Sequence, residues 1–135
     1  MRISIAAVAL LLCGLGAGPA AAQDAAGVWL SQTGETRVRI AACGAEMCGT
    51  VVWQKTPGKD VNNPDAARRD RAIVGIRMMS GMKKSAAGWT GQLYNFQDGK
   101  TYTGTMKLPS ANAMELGGCV MGGLICRTQT WTRAQ

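Results

Sequence analysis

The sequence predicts an all-β domain: an eight-stranded antiparallel up-and-down barrel, lipocalin-like in plan, with one short helix near residues 64–71. A β-sandwich is the alternative. Short segments that alternate polar and apolar residues recur along the chain, turn-forming residues separate them, and cysteine pairs flank two of the turns. Such a meander closes economically into a barrel, because closure leaves no strand edge unpaired.

The first 22 residues are predicted to be a signal peptide rather than part of this domain. Arg2 gives a basic start, residues 3–15 are almost wholly apolar, and alanines at 20–22 form a small-residue cleavage site. Glycines and Pro19 interrupt the apolar run before the roughly 20 residues that a membrane span needs, so no transmembrane segment is expected. Residues 23–135 then form a single β-barrel domain, periplasmic or secreted after cleavage near Ala22.

The strands are predicted in order from alternation and turn chemistry. Residues 27–30 form the first strand, and residues 36–54 form a hairpin whose first arm alternates arginine with apolar residues. The polar stretch 55–65 ends in helix-start chemistry, since Asn63 can cap a helix and Pro64 suits its first turn. Strands resume at 73–79, 89–94, 100–108, 113–120 and 125–133, with a turn at 81–88 and an Asp98-Gly99 hairpin signal.

Four of the five cysteines lie in the predicted domain: Cys43, Cys48, Cys119 and Cys126. Four thiols allow three pairings, and the sequence alone cannot choose among them. We favour Cys43–Cys48 and Cys119–Cys126, because each of these pairs flanks a short turn. A zinc site is the alternative, but the second pair is spaced more widely than zinc ligands usually are, and an oxidising compartment favours disulfides.

Several motifs resemble the bacterial domain-of-unknown-function family 2147. They are Cys43-Gly44 with Cys48-Gly49-Thr50-Val51-Val52-Trp53, Asp60-Val61-Asn62-Asn63-Pro64, Trp89-Thr90-Gly91, Asp98-Gly99-Lys100-Thr101-Tyr102 and Gln129-Thr130-Trp131-Thr132-Arg133. The resemblance covers nearly all of residues 23–135. It implies an exported lipocalin-like barrel and brings no catalytic residues.

The wider likeness to calycin barrels implies a tryptophan–arginine pair, Trp29 and Arg133, that closes the bottom of the barrel. A guanidinium can stack on an indole while it donates hydrogen bonds to carbonyl groups. We therefore expect the two side chains to lie within about 6 Å of each other.

The chemistry-bearing residues argue against an enzyme. The chain has no histidine, which removes the most common general base and the usual ligand of catalytic zinc. We predict no cofactor and no metal site: residues 60–65 lack the glycine and distal glutamate of a calcium loop, and core packing explains the methionines better than copper binding does. Basic residues are never more than two in a row despite the net charge of +7, so no nucleic-acid partner is expected.

The favoured function is a non-enzymatic exported binding protein that holds a small apolar or amphiphilic ligand in the barrel. Arg68, Arg69 and Arg71 form a candidate anion-binding face on the short helix. The candidate ligand lining is Val38, Ile40, Val52, Trp89, Leu93, Tyr102, Met106, Met114 and Leu116. The alternatives are a structural or interaction module of the cell envelope with a side-chain-filled barrel and, more weakly supported, a carboxylate-dependent hydrolase.

Overall fold

A computed structural model describes residues 24–134. It forms a closed barrel of eight antiparallel strands, each paired with its neighbours in sequence and the last paired with the first. This confirms the predicted fold. The strands are β1 Gly27–Leu30, β2 Thr36–Cys43, β3 Glu46–Gln54, β4 Arg77–Ser85, β5 Gly88–Asn95, β6 Lys100–Ser110, β7 Ala113–Val120 and β8 Ile125–Arg133.

The barrel has two unlike ends. At the closed end, three tight turns join β2 to β3, β4 to β5 and β6 to β7, and the chain enters β1 and leaves β8. At the far end lie the short β1–β2 connection, the long segment 55–76, and the β5–β6 and β7–β8 turns. The strands that meet at the closed end position Trp29 and Arg133, while the far end carries the segment that was predicted to be helical.

Both favoured disulfides form. Cys43 is bonded to Cys48 across the β2–β3 turn, and Cys119 is bonded to Cys126 across the β7–β8 turn. Cys119 and Cys126 lie directly opposite each other on β7 and β8, whereas Cys43 and Cys48 lie diagonally across β2 and β3 beside their turn. Each bond therefore fixes one hairpin locally, as the spacing in the sequence predicts.

The predicted short helix near residues 64–71 is present, but its cap and the predicted turn at 81–88 are corrected. The helix near residues 64–71 is one 3-10 turn, Ala66–Arg68, and Asp65 rather than Asn63 caps it, accepting from the Ala67 amide at 3.0 Å. The side chain of Asn63 is held elsewhere, by Asp60 and by the Asp65 amide. Residues 81–85 continue β4 instead of forming a turn, since an irregularity in the β4–β5 register accommodates Gly81 within the strand.

The segment 120–125 adds a second 3-10 turn, Met121–Gly123, that the sequence analysis did not predict. Among residues 24–134, no helix has the length and apolar character needed to cross a bilayer.

Candidate functional site

Apolar side chains fill the lumen of the barrel from the closed end, while Tyr102, Gly118 and Gln129, which face inward toward the far end, retain accessible surface. The apolar lumen side chains that expose no more than 1% of their surface are Trp29, Val38, Ile40, Val51, Met79, Met82, Met106 and Met114. A side chain with so little accessible surface does not border a void that could hold a water molecule. The flexible methionines fill the space between the branched and aromatic residues. The lumen in this conformation therefore has no room for a ligand beside these residues.

Glycines show how tight this packing is. Gly104 on β6 lies under Leu93 of β5, and a Cβ at Gly104 would come within 2.5 Å of the Leu93 Cγ. Gly49 on β3 is covered in the same way by Met79, at 2.9 Å. At both positions a single methyl group would need space that the neighbouring side chain already occupies.

The residues predicted to line a ligand cavity separate into three groups. Those buried in the filled lumen are Val38, Ile40, Leu93, Met106, Met114 and Leu116. Trp89 and Tyr102 are half-buried, Trp89 near the closed end and Tyr102 toward the far end. Val52 lies outside the core, which corrects its predicted place.

A β-bulge explains the position of Val52. Arg37 pairs with Trp53 while Val38 pairs with Val51, so Val52 is an extra residue in β3. The insertion reverses the alternation at this point. Val51 therefore enters the core, and Val52 and Trp53 both lie on the outer wall.

At the closed end, Arg133 covers Trp29. The guanidinium carbon lies 4.3 Å from the centroid of the indole ring, and its nitrogens donate to the carbonyl oxygens of Ala26, Asp24 and Ala111 at 2.8–3.0 Å. Gly27 allows this approach, because a Cβ there would lie 2.7 Å from an Nη atom of Arg133. The indole nitrogen of Trp29 donates to the Ala25 carbonyl at 2.9 Å. Every side-chain nitrogen of the pair thus donates to a carbonyl group, in the segment before β1 or in the β6–β7 turn.

At the far end, a buried carboxylate holds segment 55–76 against β5. Asp60 is completely buried and accepts hydrogen bonds from the Tyr94 hydroxyl at 2.6 Å, Asn63 Nδ2 at 2.8 Å and Arg71 Nε at 2.9 Å. Burial alone would raise the pKa of Asp60, but the three hydrogen bonds outweigh it and the pKa is lowered. Burial and the Asp60 carboxylate raise the pKa of Tyr94. We call these four residues the clasp.

The three arginines of the predicted anion-binding face do not form one face. Arg68 is paired with Asp65 at 3.5 Å, Arg69 donates to the Asn63 carbonyl at 2.8 Å, and Arg71 belongs to the clasp. A single 3-10 turn is too short to align them, and each guanidinium already has an acceptor inside the segment. Their role in this structure is to shape segment 55–76.

A depression on the outer wall combines cations with an aromatic ring. Its volume is about 410 Å³, and its lining is Val28, Arg37, Arg39, Val52, Trp53 and Ala134. The Arg37 guanidinium lies 4.8 Å from the Trp53 ring centroid, and its buried Nε has no hydrogen-bond partner among residues 24–134. Within the same residues, no carboxylate lies within 4 Å of Arg37 or Arg39. We call this the arginine–tryptophan depression.

A second depression, near the closed end, differs in charge. It measures about 520 Å³ and is lined by Lys84, Ser85, Ala86, Ala87, Gly88, Trp89, Lys107, Leu108, Pro109 and Glu115. Glu115 pairs directly across the sheet with Lys107, and Lys84 lies over the Trp89 ring at 5.3 Å. A carboxylate within the lining offsets part of its positive charge, so this depression is less suited to an anion.

No sequence motif marks Arg37, Arg39 and Trp53 as one site. The signal was partly visible, because Arg37 and Arg39 are two residues apart on one strand and so share a face. The partner was not visible. Only the bulge at Val52 brings Trp53 onto that face beside Arg37.

Comparisons with known proteins agree with this fold. The model of a family described as an uncharacterised protein conserved in bacteria, DUF2147, matches residues 27–133. A solved structure of a Helicobacter pylori protein, described as belonging to the lipocalin family, superimposes with a TM-score of 0.74 at 23% identity, covering 83% of this chain and 84% of that one. No curated protein matches the sequence.

Proposed function

We propose that this chain, which belongs to the DUF2147 family, is an exported, non-enzymatic binding protein that holds its ligand on the outer wall of a filled barrel. The ligand class is a small amphiphile with an anionic head. The observation that carries the proposal is the arginine–tryptophan depression, where two arginines without described carboxylate partners lie beside an exposed tryptophan.

The chemistry of the depression suits both parts of such a ligand. Arg37 and Arg39 offer charge-assisted hydrogen bonds to a carboxylate, sulfate or phosphate group. Val28, Val52 and the exposed part of Trp53 offer an apolar surface to the rest of the molecule. The volume of about 410 Å³ lies in the range of small-molecule sites.

The filled lumen and the occupied carboxylates weigh against the other functions. A ligand inside the barrel would have to displace side chains that are packed without voids. A hydrolase would need a free carboxylate, yet Asp60 accepts three hydrogen bonds in the clasp and Asp98 accepts one from the Tyr102 hydroxyl. The hydrogen bonds from Tyr94 to Asp60 and from Tyr102 to Asp98 thus leave neither carboxylate free.

The test is a calorimetric titration of the purified, oxidised chain with dodecyl phosphate below its micelle concentration. The double variant Arg37→Gln/Arg39→Gln should raise the dissociation constant at least about tenfold, since each charge-assisted hydrogen bond contributes about 1.5–3 kcal/mol. Arg39→Gln alone should give part of this loss without disturbing the stacked Arg37.

The matched control is Lys84→Gln/Lys107→Gln, which removes the same charge from the second depression and should leave binding unchanged. Equal weakening by both double variants would show only a general attraction between charges. Methyl NMR shifts centred on Met106 and Leu93 would place the ligand in the lumen and contradict the proposed site.

A further inference from the structure

The seam that closes the barrel is short. Only Trp29↔Arg133 and Leu30↔Thr132 pair β1 with β8, whereas eight residue pairs join β7 to β8. β1 ends at Leu30, so β8 continues toward the far end with a partner on one side only. Every residue from Met121 to Thr130 is exposed. We call the β1-facing side of residues 125–130 the free edge.

Two hydrogen bonds near the start of the seam show which backbone groups of β8 point toward the free edge. The Ala134 amide donates to the Val28 carbonyl at 2.8 Å, and the Thr130 amide donates to the side-chain oxygen of Gln32 at 2.8 Å. Backbone groups alternate sides along a strand. The amide and carbonyl groups of Cys126 and Thr128 therefore point outward from the same edge. At Thr130, just beyond the residues of β8 that pair with β1, the Gln32 side chain accepts the hydrogen bond that a neighbouring strand would otherwise accept.

The free edge lacks the features that usually protect an edge strand. It has no proline, no lysine and one charged side chain, Arg127, within residues 125–130. The adjoining turn is apolar: exposure is 42% at Val120, 70% at Met121, 85% at Leu124 and 55% at Ile125. The Cys119–Cys126 disulfide holds this hairpin in shape. An unprotected, preformed strand edge is a template for another strand.

We propose that the free edge pairs antiparallel with the free edge of a second copy of this chain, with the two-fold axis at Thr128. This register brings together residues whose backbone groups point outward, Thr128 with Thr128 and Cys126 with Thr130 of the second copy, and the Thr130 amide exchanges the Gln32 side chain for the Cys126 carbonyl. It sets Arg127 opposite Gln129, whose side-chain oxygen accepts from the Trp131 indole nitrogen at 3.0 Å and keeps a second lone pair for a guanidinium. An axis at Arg127 would instead set two arginines opposite each other, which is destabilising.

The length of the free edge fits the same register. Ile125 of the second copy lies opposite Trp131, one residue before Thr132, where Leu30 takes over the edge. Beyond Ile125, the second copy turns back through 121–124 into its own β7. The pairing therefore leaves β1 in place, displaces only the Gln32 side chain from Thr130, and covers the exposed side chain of Ile125.

The experiment is sedimentation velocity of the oxidised chain from about 2 µM to about 500 µM, where an interface of this small size would associate. A dimer should appear as concentration rises. Thr128→Pro removes an amide that serves only the free edge and should weaken the dimer at least about tenfold. Thr128→Val keeps the amide and should leave the dimer unchanged.

Two charge variants test the register independently of proline. Gln129→Glu should tighten the dimer and Gln129→Arg should weaken it, each at least about threefold, because residue 129 faces Arg127 of the other copy. A monomer at every concentration, or a Thr128→Pro variant that dimerises like wild type, would overturn the proposal. So would a monomer that sediments with phosphatidylglycerol vesicles and loses this binding on Leu124→Ser, since the apolar turn would then serve a lipid surface.

Discussion

The two ends of the barrel differ in how completely they cover their backbone groups and apolar side chains. At the closed end, Arg133 is bonded to three carbonyl groups and stacks on Trp29, which is itself fully buried. At the far end, β8 has one neighbour and the β7–β8 turn exposes its apolar side chains. The closed end concentrates the packing that stabilises the fold, and the far end leaves strand edge and apolar surface available. The comparison suggests that stability and interaction are divided between the two ends.

The largest expected effect on stability comes from removing Trp29, the side chain at the centre of the closed end. Trp29→Ala should lower the free energy of unfolding by about 3–5 kcal/mol, because it empties a fully buried aromatic site. Trp53→Ala is the matched control on the outer wall, where the side chain is 37% exposed, and should cost far less. Urea denaturation measures both. Equal losses would contradict the idea that the closed end carries the stability.

The next effect concerns the clasp, the one buried charge cluster that the far end carries among residues 24–134. Asp60→Asn should cost about 3 kcal/mol, because the new amide cannot accept every bond and leaves Arg71 without its buried partner. Since the pKa of Asp60 is lowered in the fold, its contribution is present above the unfolded pKa of about 3.9 and is lost as the pH falls through the lower folded value.

Denaturation at several pH values separates this effect from general acid sensitivity. Below about pH 4, wild type should lose stability more steeply than Asp60→Asn. Asp98→Asn is the control, since Asp98 also has a lowered pKa but is exposed. If Asp60→Asn lost stability at low pH as steeply as wild type, the clasp would be excluded as the source of the acid sensitivity.

The smallest expected change in stability comes from adding a methyl group at either of two glycines of the lumen, Gly104 and Gly118. Gly104→Ala should cost about 1–3 kcal/mol, because its Cβ would press on Leu93. Gly118→Ala should be nearly neutral, since the nearest atom to its Cβ is Tyr102 Cβ at 3.7 Å. Thermal unfolding of both variants measures how far the tight packing extends toward the far end. A neutral Gly104→Ala would show that the lumen has spare room.

Much of the fold followed from local patterns. Alternation and turn residues predicted the antiparallel meander, and cysteines beside two turns indicated the local disulfides that the structure contains. Segment 55–76 was predicted less well. The predicted cap, Asn63, is held by Asp60, and Asp60 is itself bonded to Tyr94, 34 residues away. A local helix signal cannot account for such bonds.

The sequence by itself determined that neighbouring segments pair, because strand alternation and hairpin turns are encoded within a few residues. Only the tertiary structure decided whether the ring is hollow or full, since that depends on the summed volume of side chains from all eight strands. The same holds for the bulge that exposes Val52 beside Trp53 and for the two-residue seam between β1 and β8. Both depend on how the registers add up around the ring, which no single segment specifies.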